Sequence, residues 1–115
     1  MLVQGDALAP PFADEAFDHV LITHTVSVVS DPPRLMRWAA RLVRPGGRVV
    51  VLNHFRSDNA LIGGLERALN PLCTRLGWRS DLSLDDCLGD APLTVVSDWK
   101  LSAVDVWRIV VLERA

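Results

Sequence analysis

Residues 42–55 read LVRPGGRVVVLNHF, and the centre of that stretch is three consecutive valines, Val49 to Val51, followed by Leu52. A short β-branched run without polar alternation suits a strand covered on both faces, as in a parallel sheet. A buried strand is therefore expected over Arg48–Leu52, closing at Asn53-His54-Phe55. Pro45 cannot continue a helix, and Gly46-Gly47 allow a left-handed reversal, so a helix must end just before them. That helix reads backwards from the turn. Leu35, Met36, Ala39, Leu42 and Val43 share one face, and Arg34, Arg37, Arg41 and Arg44 share the other. Its start is marked by Ser30 or Asp31 as N-cap and by Pro32-Pro33 in the first turn.

Upstream, Phe17–Thr23 is a second apolar run, with Val20, Leu21 and Ile22 at its centre, and reads as a second covered strand. Met1–Gln4 reads as a strand stub ahead of Gly5-Asp6-Ala7, and Pro10, Pro11, Asp14 and Glu15 make a loop. His24–Ser30 has no readable period. Downstream, Ser57 to Leu76 carries leucines at 61, 65, 69, 72 and 76 in helical spacing. Gly63-Gly64 and Pro71 interrupt it, which predicts two shorter helices or a kink. Ser83–Leu88 is a short helix with Ser83 as cap and Asp85 and Asp86 in its first turn. Leu93–Leu101 and Val104–Leu112 are β-rich and too close for a parallel crossover, so they form an antiparallel hairpin. Strands alternating with helices predict an α/β domain, with a largely parallel sheet and a final antiparallel hairpin.

With 115 residues the chain holds one domain, and half of it is apolar. The net charge of −2 gives no basic footprint for nucleic acid. No apolar run is long enough to span a bilayer, and Met1–Pro11 carries an acid and no base, unlike a signal peptide. Cys73 and Cys87 have no metal-ligand spacing, so no metal is expected and both read as reduced thiols of a cytoplasmic protein. Tyrosine is absent while four tryptophans are present, so aromatic contact with a cation falls to Trp or Phe.

Three pieces in order resemble the second half of a class I, Rossmann-like methyltransferase dependent on S-adenosylmethionine. They are Gly5-Asp6-Ala7 with Pro11-Phe12 and Phe17-Asp18, the strand and exit that end at Asp31, and Leu42-Val43-Arg44-Pro45-Gly46-Gly47 before the valine strand. Val51-Leu52-Asn53-His54-Phe55, Leu65 to Leu72 and Leu76 to Asp81 are most similar to bacterial phosphatidylethanolamine N-methyltransferases. The resemblance implies the C-terminal part of a Rossmann-like methyltransferase sheet, S-adenosylmethionine as cofactor, and methyl transfer to an amine of phosphatidylethanolamine or a related phospholipid. Transfer to a quinone precursor or another small molecule is the alternative. The family's glycine-rich loop has no counterpart, because no G-x-G-x-G occurs. A fragment, a mis-set gene start or a decayed, non-catalytic remnant follows from that, and the isolated chain is expected to be a poor catalyst. In the family, Phe17–Thr23 lies beside the missing first strand, so its open edge predicts a homodimer. A phospholipid acceptor adds peripheral contact with a membrane.

The resemblance also assigns the site. Asp6 with Gly5 and Ala7 meets adenine, against the plainer reading of Asp6 as a turn cap. Thr23 and His24 complete the cofactor side at a parallel strand's C-terminal end, where open α/β sheets bind ligands. Thr25, Asn53, His54 and Phe55 fall on the substrate side. His24 and His54 are the catalytic candidates, because an amine attacks a sulfonium methyl only after losing its proton. The plainer alternatives are loop-bonding histidines and a capping Asn53. Alternation along a strand sends Asn53 and His54 to opposite faces, so one of them at most is expected in the pocket unless the strand has already ended. The arginine stripe and the leucine stripe are read as a solvated face and as core or lid packing, with phosphate and acyl-chain contact as alternatives. Trp78 and Trp99 are the candidates for covering a methylated ammonium.

Overall fold

A computed structural model describes residues 2–55, 60–77, 82–101 and 107–115. Its elements are β1 (Phe17–Thr23), α1 (Pro32–Leu42), β2 (Val43–His54), α2 (Ala60–Arg75), α3 (Leu84–Leu88), β3 (Leu93–Lys100) and β4 (Trp107–Arg114). The four strands form one sheet in the order β1-β2-β4-β3. β1 runs parallel to β2, with Val20 opposite Val49 and Ile22 opposite Val51. β4 returns antiparallel to β2 and then pairs with β3 in the expected hairpin. The α/β class is as expected, but the balance within the sheet is not. Among the described strands only β1–β2 is parallel, because β4 inserts between β2 and β3 and turns both of its pairings antiparallel.

α1 begins where the sequence predicts. The Asp31 carboxylate accepts from the Arg34 N–H at 3.2 Å, and Pro32 and Pro33 occupy positions whose N–H groups have no partner in a helix. Leu35, Met36, Ala39 and Ala40 are buried against the sheet. Val43, expected on the helix face, is instead the first residue of β2. Pro45-Gly46-Gly47 does not stand outside that strand but makes a bulge within it, with Gly46 at φ 79° and a register shift between Phe17 and His19. A Cβ on Gly47 would run into the Asp18 carbonyl and lie 2.5 Å from Val43 Cγ2 and 2.9 Å from the Arg44 carbonyl oxygen. Only glycine allows β1 and the bulge to approach so closely.

Helices α1 and α3 cover one face of the sheet. Val49 and Val51 of β2, Val110 and Leu112 of β4, Met36 of α1, Cys87 of α3 and Phe55 form the shared core. Burial pushes the Cys87 thiol up to about 12. The other face is less covered than a doubly buried reading implies, with Val50, Leu52 and Val111 half-buried and Leu21 exposed. Two of the three α1 arginines tie loops down, through Arg37–Asp90 at 3.1 Å and Arg41–Asp14 at 3.2 Å, and Arg44 at the start of β2 pairs with Asp18 of β1 at 3.0 Å. Buried Arg108 forms a bidentate pair with Asp98, its Nε donating at 2.9 Å.

Two further expectations change. Residues 2–4 form no strand. The chain there leads into a turn closed by an isolated bridge between Asp6 and Ala9. α2 is one continuous helix through Gly63-Gly64 and Pro71 rather than two shorter ones. The expected start at Ser57 lies outside the described residues, as does Trp78. No helix among the described residues is long and apolar enough to cross a membrane.

Candidate active site

Because β1 and β2 are parallel, both release their chains at the same edge of the sheet, and the candidate site forms there. His24 is the first residue after β1. Its N–H donates to the Leu52 carbonyl at 2.9 Å, and its backbone takes the left-handed value φ 51°. That conformation is uncommon for a residue with a Cβ, and it folds the chain sharply back. Val26 and Ser27 are thereby buried, and the Val28 and Val29 N–H groups both bond to the Thr25 carbonyl. The Thr25 hydroxyl donates to the Thr23 carbonyl at 2.8 Å. Across the edge, the Asn53 amide donates to Ser27 Oγ at 3.2 Å and to the His54 carbonyl at 2.9 Å. Asn53 is 1% exposed, and its Oδ1 has no hydrogen-bond partner among the described residues.

These residues enclose a cavity of about 230 Å³ lined by His24, Ser27, Val28, Asn53, His54 and Trp107. Trp107 lies opposite His54 in the β2–β4 register. Its ring meets His24 at 5.2 Å and His54 at 5.4 Å between centroids, both nearly edge-to-face. His54 Nε2 lies 3.3 Å from Glu66 Oε2 of α2. Burial lowers the His54 pKa from the ordinary histidine value, and the Glu66 charge and the residue's own backbone carbonyl oppose that shift without reversing it. His54 is therefore mainly neutral at pH 7, and is able to accept a proton.

The expected residues divide into two groups. His24, Asn53 and His54 line the cavity, with Thr23 and Thr25 beside it. Alternation had allowed one of Asn53 and His54 at most. Both line the cavity, at the last two positions of β2. Phe55 is fully buried in the core beneath the Arg108 guanidinium, 5.8 Å from its ring, and does not line the cavity. Gly5, Asp6 and Ala7 line a separate concavity with Val3, Pro10, Pro11 and Phe12. Asp6 is exposed, and its Oδ1 caps its own turn by accepting the Leu8 N–H at 2.8 Å.

Sequence reasoning missed Ser27, Val28, Trp107 and Glu66. Ser27 and Val28 fall in the stretch without a period. Trp107 becomes visible only once the β2–β4 register is known. Glu66 was hidden because the leucines of its helix were read as the buried side.

A methyltransferase domain family matches residues 1–51. The chain is 40% identical to a phosphatidylethanolamine N-methyltransferase from Cereibacter sphaeroides over 101 residues, which is 88% of this chain and 50% of that protein. Together these likenesses support a class I S-adenosylmethionine-dependent methyltransferase. A demethylmenaquinone methyltransferase from Mycolicibacterium paratuberculosis is 46% identical over 59 residues, 51% of this chain and 26% of that one. Among solved structures, a geranyl diphosphate methyltransferase in complex with S-adenosylmethionine superposes with a TM-score of 0.76 at 12% identity, covering 96% of this chain and 56% of that one. The chain thus spans half the length of the first of these relatives and about a quarter of the second. The residues present fit one end of the family's cofactor. Asp6 has a second carboxylate oxygen to offer an exocyclic amine, and Val3, Pro10, Pro11 and Phe12 supply apolar walls for a flat ring.

Proposed function

We propose that the protein to which this methyltransferase chain contributes methylates the amine of phosphatidylethanolamine or a related phospholipid. The supporting observation is the extent of the likeness to the phosphatidylethanolamine enzyme. A match over 101 of 115 residues takes in α2 and Glu66 as well as both strand exits. In this reading Gly5, Asp6 and Ala7 hold the adenine of S-adenosylmethionine, with Thr23 and His24 at the strand exit on the cofactor side. Bound there, the cofactor supplies an electrophilic methyl group on a sulfonium. Thr25, Asn53 and His54 face the acceptor. An ammonium has no lone pair to attack with, so neutral His54 takes its proton, and the cavity's apolar walls disfavour the charged form.

α2 supports the lipid part of the reading. Leu61, Leu65, Leu69, Leu72 and Leu76 are all between 46% and 83% exposed. At 3.6 residues per turn they fall within an arc of about 80°. Exposed Arg67 and Arg75 lie outside that arc. An apolar stripe with cationic neighbours suits an interfacial helix, which makes the protein a peripheral one on the cytoplasmic side of a membrane.

Transfer to a quinone precursor is the second reading, favoured by the likeness to the demethylmenaquinone enzyme over half of the chain. The two separate in one assay. The chain and the longest reading frame that contains it are supplied with methyl-labelled S-adenosylmethionine, and either with phosphatidylethanolamine vesicles or with a demethylated quinone. Label is expected in the phospholipid, with the 115-residue chain far less active than the longer protein. Label in the quinone alone overturns the phospholipid reading.

A further inference from the structure

α2 is oriented against the usual rule. Its leucines face outward, and its buried side carries Glu66, 7% exposed, beside Cys73 and Gly63. A surface helix ordinarily buries its apolar stripe and keeps its carboxylates in water. Burying a carboxylate is costly unless it is compensated, and His54 Nε2 lies 3.3 Å from Glu66 Oε2. We infer that Glu66 is the positioning residue for His54: its carboxylate stands against Nε2, holds the imidazole at the cavity by charge, and stabilises the imidazolium formed when His54 accepts a proton. This rests on the reading of His54 as the acceptor-side base.

The proton balance is simple. The acceptor ammonium gives its proton to Nδ1, since Nε2 faces Glu66. The ammonium becomes a neutral amine, the imidazole becomes an imidazolium, and Glu66 remains a carboxylate throughout. Among the described residues, the charged or titratable groups around His54 are few. Glu66 approaches from α2, and His24 lies across the Trp107 ring from the loop after β1. Arg108, next to Trp107 on β4, is held by Asp98. Glu66 is thus the described charge in direct reach of the ring. Burial lowers the His54 pKa and Glu66 raises it, so neutralising Glu66 lowers it further.

The test is an NMR titration of the full chain, following the imidazole signals of its three histidines, with His54→Gln to assign the His54 signal. Wild-type His54 is expected to titrate below the ordinary histidine midpoint. In Glu66→Gln the midpoint should fall by about one pH unit or more, the usual effect of removing an opposite charge at this range. Glu66→Asp keeps the charge but withdraws it by one methylene, and should fall between the two. Should Glu66→Gln unfold, its histidines will titrate together at the ordinary value, and Glu66→Asp then carries the comparison. A His54 midpoint unchanged in whichever folded variant is measured overturns the proposal. The readout needs no methyl acceptor. A shifted midpoint beside label in the quinone would therefore retain the positioning role while removing the phospholipid reading.

Discussion

His24 carries two demands at one position. Its side chain forms a wall of the cavity, and its backbone sits at φ 51°, where a Cβ crowds the following carbonyl. Glycine meets the backbone demand without the side chain, and alanine meets neither. His24→Gly should therefore be more stable than His24→Ala by about 1 kcal/mol, read from urea unfolding midpoints. Equal stabilities would mean that the loop relaxes out of the left-handed region. The same residue shows how far the sequence alone could be read. Its place at a strand exit marked it as a site residue, but nothing local announced the positive φ, which is imposed by the hydrogen bond to Leu52 on the neighbouring strand.

Elements differ in how much of themselves they disclose. α1 carried its own cap and stop signals, and β1 its bounds, so both were legible. The bulge of β2 was not, because Pro-Gly-Gly reads equally as a turn between elements or as a bulge within one. Its glycines also differ in consequence from those of α2. Gly47→Ala should destabilise by about 2 kcal/mol or more, since the new methyl meets two backbone carbonyls that cannot move aside. Gly64→Ala, with nothing within 4 Å of its Cβ, should instead stabilise by roughly 0.5–1 kcal/mol through helix propensity. Thermal unfolding of the pair checks both signs, and a harmless Gly47→Ala would contradict the close approach of β1 to the bulge. The outward leucines of α2 lead to a separate expectation. Leu65→Glu and Leu69→Glu should each weaken binding to vesicles containing anionic lipid by roughly tenfold, with unfolding unchanged. Unaltered vesicle sedimentation would leave the stripe without a membrane role.

At the scale of the whole molecule, the outer edge of β1 has no strand partner among the described residues, and exposed Leu21 lies on the less covered face beside it. An apolar edge of this kind pairs readily, and two-fold pairing with a second copy closes it without further growth. We expect the purified chain to be a homodimer, with sedimentation velocity showing concentration-dependent association. Leu21→Lys should shift the balance towards monomer by placing charges where the partner packs. A folded monomer at high concentration would mean that the β1 edge is not a pairing surface.

Local chemistry is what the sequence determined by itself. Asp31 before two prolines starts α1, the triple valine after Pro-Gly-Gly lies in β2, and the two closely spaced β-rich runs pair antiparallel. The motif order was also enough to place His24, Asn53 and His54 at strand exits. What only the tertiary structure decided depends on residues far apart in sequence. β4 inserts beside β2, and that register sets Trp107 against His54. α2 turns Glu66 rather than its leucines inward, with its Oε2 3.3 Å from His54 Nε2. Periodicity gives the faces of a helix but not which face is buried, since that choice depends on the partner that each face meets after folding.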